Sequence, residues 1–249
     1  MSESEKTDWL TESLRLTAFV TVDADLRDWS GSWKALMGDE PDAAEVRAKE
    51  HVVQESGQFH EATLTYRHVP LRIDWTVHPS DMTSEPWATV GRFADDTQPF
   101  VELMKKWLAI APEIKRLAFG AVLLIPVSNR DEGYTTLSRY LPFPLDLEAR
   151  NFTYQINRRR DSRLGLPGLE INRLSKWSCL ERRMTQLQFV IGESAIASED
   201  SPSNFAMRLE VDINTVPEYP KSLESGNLTG LFSEFIELGA EIAEKGDIP

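Results

Sequence analysis

Nine basic side chains fall between positions 150 and 183: Arg150, Arg158, Arg159, Arg160, Arg163, Arg173, Lys176, Arg182 and Arg183. Only Asp161, Glu170 and Glu181 oppose them, a local balance of +6 in a chain whose total is −13. Arginine dominates the cluster, and its planar fork pairs bidentately with phosphate or carboxylate. Trp177 and Tyr154 lie in the same segment and offer stacking faces beside the charge. Gly165, Pro167 and Gly168 place a turn after the triple arginine, where a partner could reach it. Three readings stay open: contact with phosphate, docking onto an acidic protein or a second copy, and ion pairs with the chain's own carboxylates, for example the glutamate face of the last helix.

Other chemistry-bearing residues form weaker patterns. The four histidines, His51, His60, His68 and His78, lie in one stretch of the first half and with Asp74 contain the atoms of a zinc, iron or manganese site, but their spacing fits no ligand signature. Asp74 with Glu113 and Lys115 can be aligned with a metal-dependent nuclease triplet, a pattern that chance also supplies in a charged chain. Cys179 sits among Arg173, Lys176, Arg182 and Arg183, an environment that lowers a thiol pKa if the sulfur is exposed; the simpler reading is a buried structural cysteine. No nucleophile elbow, phosphate-binding loop or dinucleotide turn occurs. The expectation is therefore no catalytic set, no metal and no cofactor. The candidate contact residues are Arg158, Arg159, Arg160, Arg163, Arg173, Lys176, Trp177, Arg182 and Arg183.

The 249 residues carry 40 acidic against 27 basic side chains, which argues against nucleic acid or anionic lipid covering the whole surface. With 41% hydrophobic residues there is material for a substantial core. One cysteine excludes an intramolecular disulfide and a cysteine-based zinc site. The start MSESEKTDW lacks the basic and apolar regions of a signal peptide, and no uncharged stretch reaches the roughly 20 apolar residues of a membrane helix. A soluble protein of the reducing cytoplasm, without membrane contact, is expected.

The elements that must position these residues follow from periodicity. Leu14, Leu16, Ala18, Val20 and Val22 alternate with Arg15, Thr17, Thr21 and Asp23, the period of a half-buried strand, while Phe19 breaks the alternation and points to partial cover of both faces. Short helices are expected near positions 29–37 and 42–51, then a hairpin whose second strand alternates Leu71, Ile73, Trp75 and Val77 with Arg72, Asp74, Thr76 and His78. Phe100, Leu103, Met104, Trp107 and Leu108 recur at helical spacing behind Pro99. The apolar run Leu117 to Val127 predicts a central strand covered on both sides. A short helix around 133–141, strands near 152–157, 187–191 and 206–213, and an amphipathic helix from Leu228 to Glu244 complete the chain. The fold class is therefore α+β, in two pseudo-duplicated halves, each a mostly antiparallel sheet with a short and a longer amphipathic helix. The halves span 1–112 and 113–249, the second closely packed on the first.

The element order, the strand KRLAFGAVLLIPV that opens the second half, and the late strand MRLEVDIN before the terminal helix resemble a sporadically distributed family of uncharacterised bacterial and archaeal proteins of similar size. The resemblance spans about Leu14 to Glu244. It implies no catalytic residues and is compatible with a prokaryotic defence setting. The leading expectation is a non-enzymatic interaction subunit that binds a protein partner or self-assembles through the arginine-rich surface. The alternative is a nucleic-acid-binding or nucleic-acid-processing subunit of a defence system, using the same segment.

Overall fold

The computed structural model describes residues 8–21, 32–83, 85–183, 187–188, 196–197 and 203–247. Among these residues it is an α+β protein built on one large antiparallel sheet with four helices. The strands are β1 (Leu10–Val20), β2 (Ala43–Arg47), β3 (Val52–Phe59), β4 (Ala62–Val69), β5 (Arg72–Pro79), β6 (Ile114–Val127), β7 (Thr153–Asp161), β8 (Glu170–Arg183), β9 (Leu187–Gln188), β10 (Ile196–Ala197) and β11 (Ser203–Thr215). The helices are α1 (Ser32–Met37), α2 (Gln98–Leu108), α3 (Arg130–Leu137) and α4 (Ser225–Lys245). Nine strands form the main sheet in the order β2-β3-β4-β5-β1-β6-β11-β8-β7, and β9 and β10 pair as a separate two-stranded ribbon.

Alternation along each strand sends apolar side chains to one face, where the helices lie. On β1 these are Leu14, Leu16, Ala18 and Val20; on β5 Ile73, Trp75 and Val77; on β6 Leu117, Phe119, Ala121 and Leu123, all buried. Each large aliphatic or aromatic side chain so buried contributes about 1.5–3 kcal/mol. Helix α2 turns Phe100, Val101, Met104, Trp107 and Leu108 inward, with Pro99 in its first turn where no N–H is required. Its Trp107 meets Trp75 edge-on with ring centroids 6.2 Å apart. On the other half, α4 packs on β6, β8 and β11, with Phe232 edge-on to Phe119 at 6.0 Å. The core is continuous from Trp33 and Val53 at one end to Trp177 and Ile242 at the other.

The structure corrects several expectations. The helix expected over 42–51 is the exposed edge strand β2 followed by a single 3-10 turn, Ala48–Glu50. Strand β3 precedes the expected hairpin, making a three-strand meander; its burial of Glu55 and admission of Trp33 over Gly57 hide the apolar period. Of the first short helix only Ser32–Met37 is helical among the described residues, and residues 22–31 lie outside them. Residues 189–191 of the expected strand at 187–191 also lie outside them. Strand β6 is central, as expected; on its second face Ala118, Gly120 and Leu124 are buried, with no helix lying over them among the described residues. Among the described residues no helix is long and apolar enough to cross a membrane.

Candidate functional site

The open face of the sheet, away from the helices, is mostly polar and carries no helix among the described residues. Successive in-register rows run across it. One row is Ser56, Thr65, Thr76, Arg15, Gly120, Asp212, Leu174 and Asn157; the next is Gln54, Arg67, Asp74, Thr17, Ala118, Asn214, Asn172 and Arg159. The smallest residues, Ala118 and Gly120, fall at the centre on β6. A depression of about 450 Å³ opens there, lined among others by Ser13, Arg15, Thr76, Gly120, Gln155, Lys176, Glu210 and Asp212. A Cβ at Gly120 would stand 3.3 Å from Arg15 Nη2, so the missing side chain makes room for the guanidinium.

Charges on this face are interleaved. Arg15 pairs with Asp212 at 3.5 Å, Lys176 with Glu210 at 2.9 Å, and Arg208 with Glu210 and with Glu12, the latter at 3.5 Å. Arg182 reaches Glu12 at 3.6 Å, donates to the Pro86 carbonyl at 2.5 Å and lies over the Trp87 ring at 4.8 Å. Trp87, Leu124, Ala206 and Leu180 form a small apolar cap at that end. Arg116 lies over Phe19 at 4.9 Å and donates to the Thr215 carbonyl and to Asn214. Among the described residues, no carboxylate pairs with Arg67 or Arg116 within ion-pair distance.

The arginine segment of β7 and β8 does not form one patch. Alternation sends Arg159 and Lys176 to the open face, where Arg159 donates to Asn172 at 3.0 Å and Glu218 at 3.2 Å. Arg158, Arg160 and Arg173 point to the helix side. Arg158 makes a two-pronged contact with Asp247, at 2.5 and 3.1 Å. Arg160 and Arg173 share Glu241, at 3.8 and 3.6 Å. In the turn between the strands Arg163 pairs with Glu234 and Glu237, and the buried Glu234 carboxylate also accepts from Ser162 Oγ and the Arg163 N–H. Arg183, at the end of β8, pairs with Glu181 at 2.8 Å. The internal pairing weighed from sequence thus accounts for much of the charge in this segment.

Trp177 is corrected outright as a contact residue. It is 0% exposed, stacks on Tyr140 with centroids 5.5 Å apart and donates its indole N–H to Ser175, so no incoming base or side chain reaches its face. Tyr154 is half-buried and donates its hydroxyl to Asp247 at 2.8 Å. Cys179 is packed against α3, where a Cβ at Gly133 would approach its Sγ to 2.6 Å. Burial pushes its thiol up to about 11, which makes it a structural cysteine.

The aligned nuclease triplet does not assemble. Asp74 is buried and accepts from Thr17 at 2.5 Å and Arg72 at 2.9 Å. Its row meets β6 at Ala118, five residues from Glu113, roughly 16 Å along an extended chain. Lys115 donates to the Pro220 carbonyl. His51 and His60 occupy left-handed turn positions at φ 53° and 55°, and His78 is held against the Pro79 carbonyl. Among the described residues no three His, Cys, Asp or Glu side chains converge on one point.

The Asp247 cluster carries a pH prediction. Burial raises its carboxyl pKa, but hydrogen bonds from Arg158 and Tyr154, with the charges of Arg158 and Arg173, outweigh that and hold it below its ordinary value of 3.8. A depressed carboxyl stabilises the fold above its unfolded pKa, and the contribution fades as pH falls through the lower folded value. Asp247→Asn is expected to be less stable than the wild type at neutral pH, with the two converging below about pH 3.8. Urea midpoints of both proteins measured across that range check it, and a difference independent of pH would refute it.

Sequence reading missed Arg15, Arg67, Arg72, Arg116 and Arg208 as neighbours on one face. The signal was the period-two pattern of each strand, but only the register unites residues so far apart in the chain. The chain matches no protein-family model and no curated protein.

Proposed function

We propose that the protein is a non-enzymatic interaction subunit that docks an acidic protein partner on the open face of its sheet. The observation that carries this reading is a face across nine strands that bears no helix among the described residues and presents Arg15, Arg67, Arg116, Arg159, Lys176 and Arg208 in a chain of net charge −13. Exposed ion pairs exchange readily, each contributing about 0–1 kcal/mol, so a partner's carboxylates can join or replace the internal ones. The engagement of Asp74 by Thr17 and Arg72, and the raised pKa of Cys179, favour binding over catalysis. The lone cysteine suits a reducing cytoplasm. The halves 1–112 and 113–249 read as pseudo-duplicated: in each the opening strand, β1 or β6, pairs with the closing strand, β5 or β11, and the remaining main-sheet strands run outward.

A second reading, phosphate contact by a defence-system subunit, is favoured by Arg67 and Arg116, the cations on this face without a carboxylate partner among the described residues. The test titrates a fluorescein-labelled glutamate-rich peptide and a single-stranded oligonucleotide against the full chain over a range of salt. The peptide is expected to bind, more weakly as salt rises, and Arg67→Glu with Arg116→Glu to weaken it about tenfold. Tighter oligonucleotide binding with a steep salt slope would transfer the assignment to the second reading. Binding of neither probe at low salt would reject both.

A further inference from the structure

We infer that the outer edge of β7 pairs antiparallel with the same edge of a second copy of this chain, joining two sheets into one. The inference is independent of the open-face reading. Strand β7 ends the sheet and pairs with β8 alone. Among the described residues no loop or helix backbone hydrogen-bonds to its other side. A long edge of unpaired N–H and C=O groups is a template for another strand. The opposite edge, β2, is only five residues long.

The nine residues Thr153–Asp161 are self-complementary about their midpoint, Asn157. A twofold axis there, with both open faces on the same side, sets Arg158 opposite Ile156, Arg159 opposite Gln155, Arg160 opposite Tyr154 and Asp161 opposite Thr153. Every residue is paired and no arginine meets an arginine, so the register avoids the destabilisation of like charges directly opposite. Moving the axis to Arg158 or Arg159 sets arginine against arginine, and moving it toward Gln155 leaves Arg160 and Asp161 without a partner in the strand, so the central register is the one that pairs all nine residues without a like-charge contact. Apolar surface lies beside the same strand: Phe143, 37% exposed, packs edge-on to Tyr154 at 5.2 Å. In the central register the second copy's arginine at 160 comes alongside Tyr154, where a cation over an aromatic ring adds attraction.

Sedimentation of the full chain is expected to give twice the 28.3 kDa chain mass. Asn157→Cys places a thiol on the axis, about 4.5–5.5 Å between Cα atoms from its symmetry mate, so mild oxidation should yield a disulfide-linked dimer. Gln155→Cys faces Arg159 and lies roughly 13 Å from its own mate; its cross-linking should be about tenfold slower or absent. A monomer in sedimentation overturns the inference. So does a dimer in which position 157 fails to cross-link, or cross-links no faster than 155, because the copies then meet elsewhere. Neither failure bears on peptide binding by the open face.

Discussion

Replacing Gly246 by alanine is expected to cost roughly 3–5 kcal/mol and to lower the melting temperature by about 10 °C. Gly246 ends α4 with φ 74° and ψ −161°, a region of backbone space that is essentially glycine-only. A Cβ there would stand 2.2 Å from the Tyr140 carbonyl oxygen and 2.6 Å from the Tyr140 Cα. These are backbone atoms, so no side-chain rotation relieves the clash. Yet the approach must be this close: the Asp247 N–H donates to the same Tyr140 carbonyl at 2.7 Å, and the Gly246 N–H closes the helix on Ile242 at 2.8 Å. Separating the two segments also withdraws Asp247 from Arg158 and Tyr154, and disturbs the Ala243 carbonyl that accepts from the Trp9 indole. Gly226 supplies the control. It lies in the same helix, and a Cβ there would meet nothing within 4 Å, so Gly226→Ala should be neutral or gain up to about 1 kcal/mol from helix propensity. Thermal and urea melts of both variants decide it, and a Gly246→Ala protein as stable as the wild type would refute the account of this junction.

What could be read from the sequence was whatever kept a simple period. Strand β1 was legible because Leu14, Leu16, Ala18 and Val20 keep a period of two on its inner face, even though Phe19 interrupts the polar outer face, where Thr17 is buried. Helix α2 was legible from Pro99 and the spacing of Phe100, Met104 and Trp107. Strand β8 was not, for a physical reason: at its start the inner face carries Arg173, which meets a carboxylate of α4, and Ser175, which accepts from Trp177, so polar residues occupy both faces. The arginine segment was visible as a charge cluster, but its division between two faces was not. Alternation sends Arg158 and Arg160 one way and Arg159 the other, and the carboxylates that meet them, Glu218, Glu241 and Asp247, come much later in the chain. The open face was the least legible feature, since Arg15, Arg116 and Arg208 become neighbours only through the pairing of β1 with β6 and β6 with β11.

Trp177 marks the sharpest difference between charge clustering and burial, and it carries the second large effect. Trp177→Ala is expected to destabilise the protein by about 3–5 kcal/mol, the usual cost of emptying a buried tryptophan site. Its neighbours explain why the site would not simply close. Tyr140 stacks on it at 5.5 Å, and Trp9 meets it edge-on at 6.0 Å while its own indole is held by the Ala243 carbonyl. Removing the indole therefore leaves a void lined by two aromatic rings and frees the Ser175 hydroxyl of its donor. Trp177→Phe, which keeps most of the volume and loses the N–H, should cost less than half as much. If Trp177 instead stacked against a partner, alanine would leave the urea midpoint unchanged and weaken peptide or oligonucleotide binding. The buried position predicts the reverse: a lower midpoint, with unchanged affinity per folded molecule at temperatures where the variant remains native. Measuring both quantities on one preparation separates a core residue from a contact residue at a position where the surrounding charge suggests the latter.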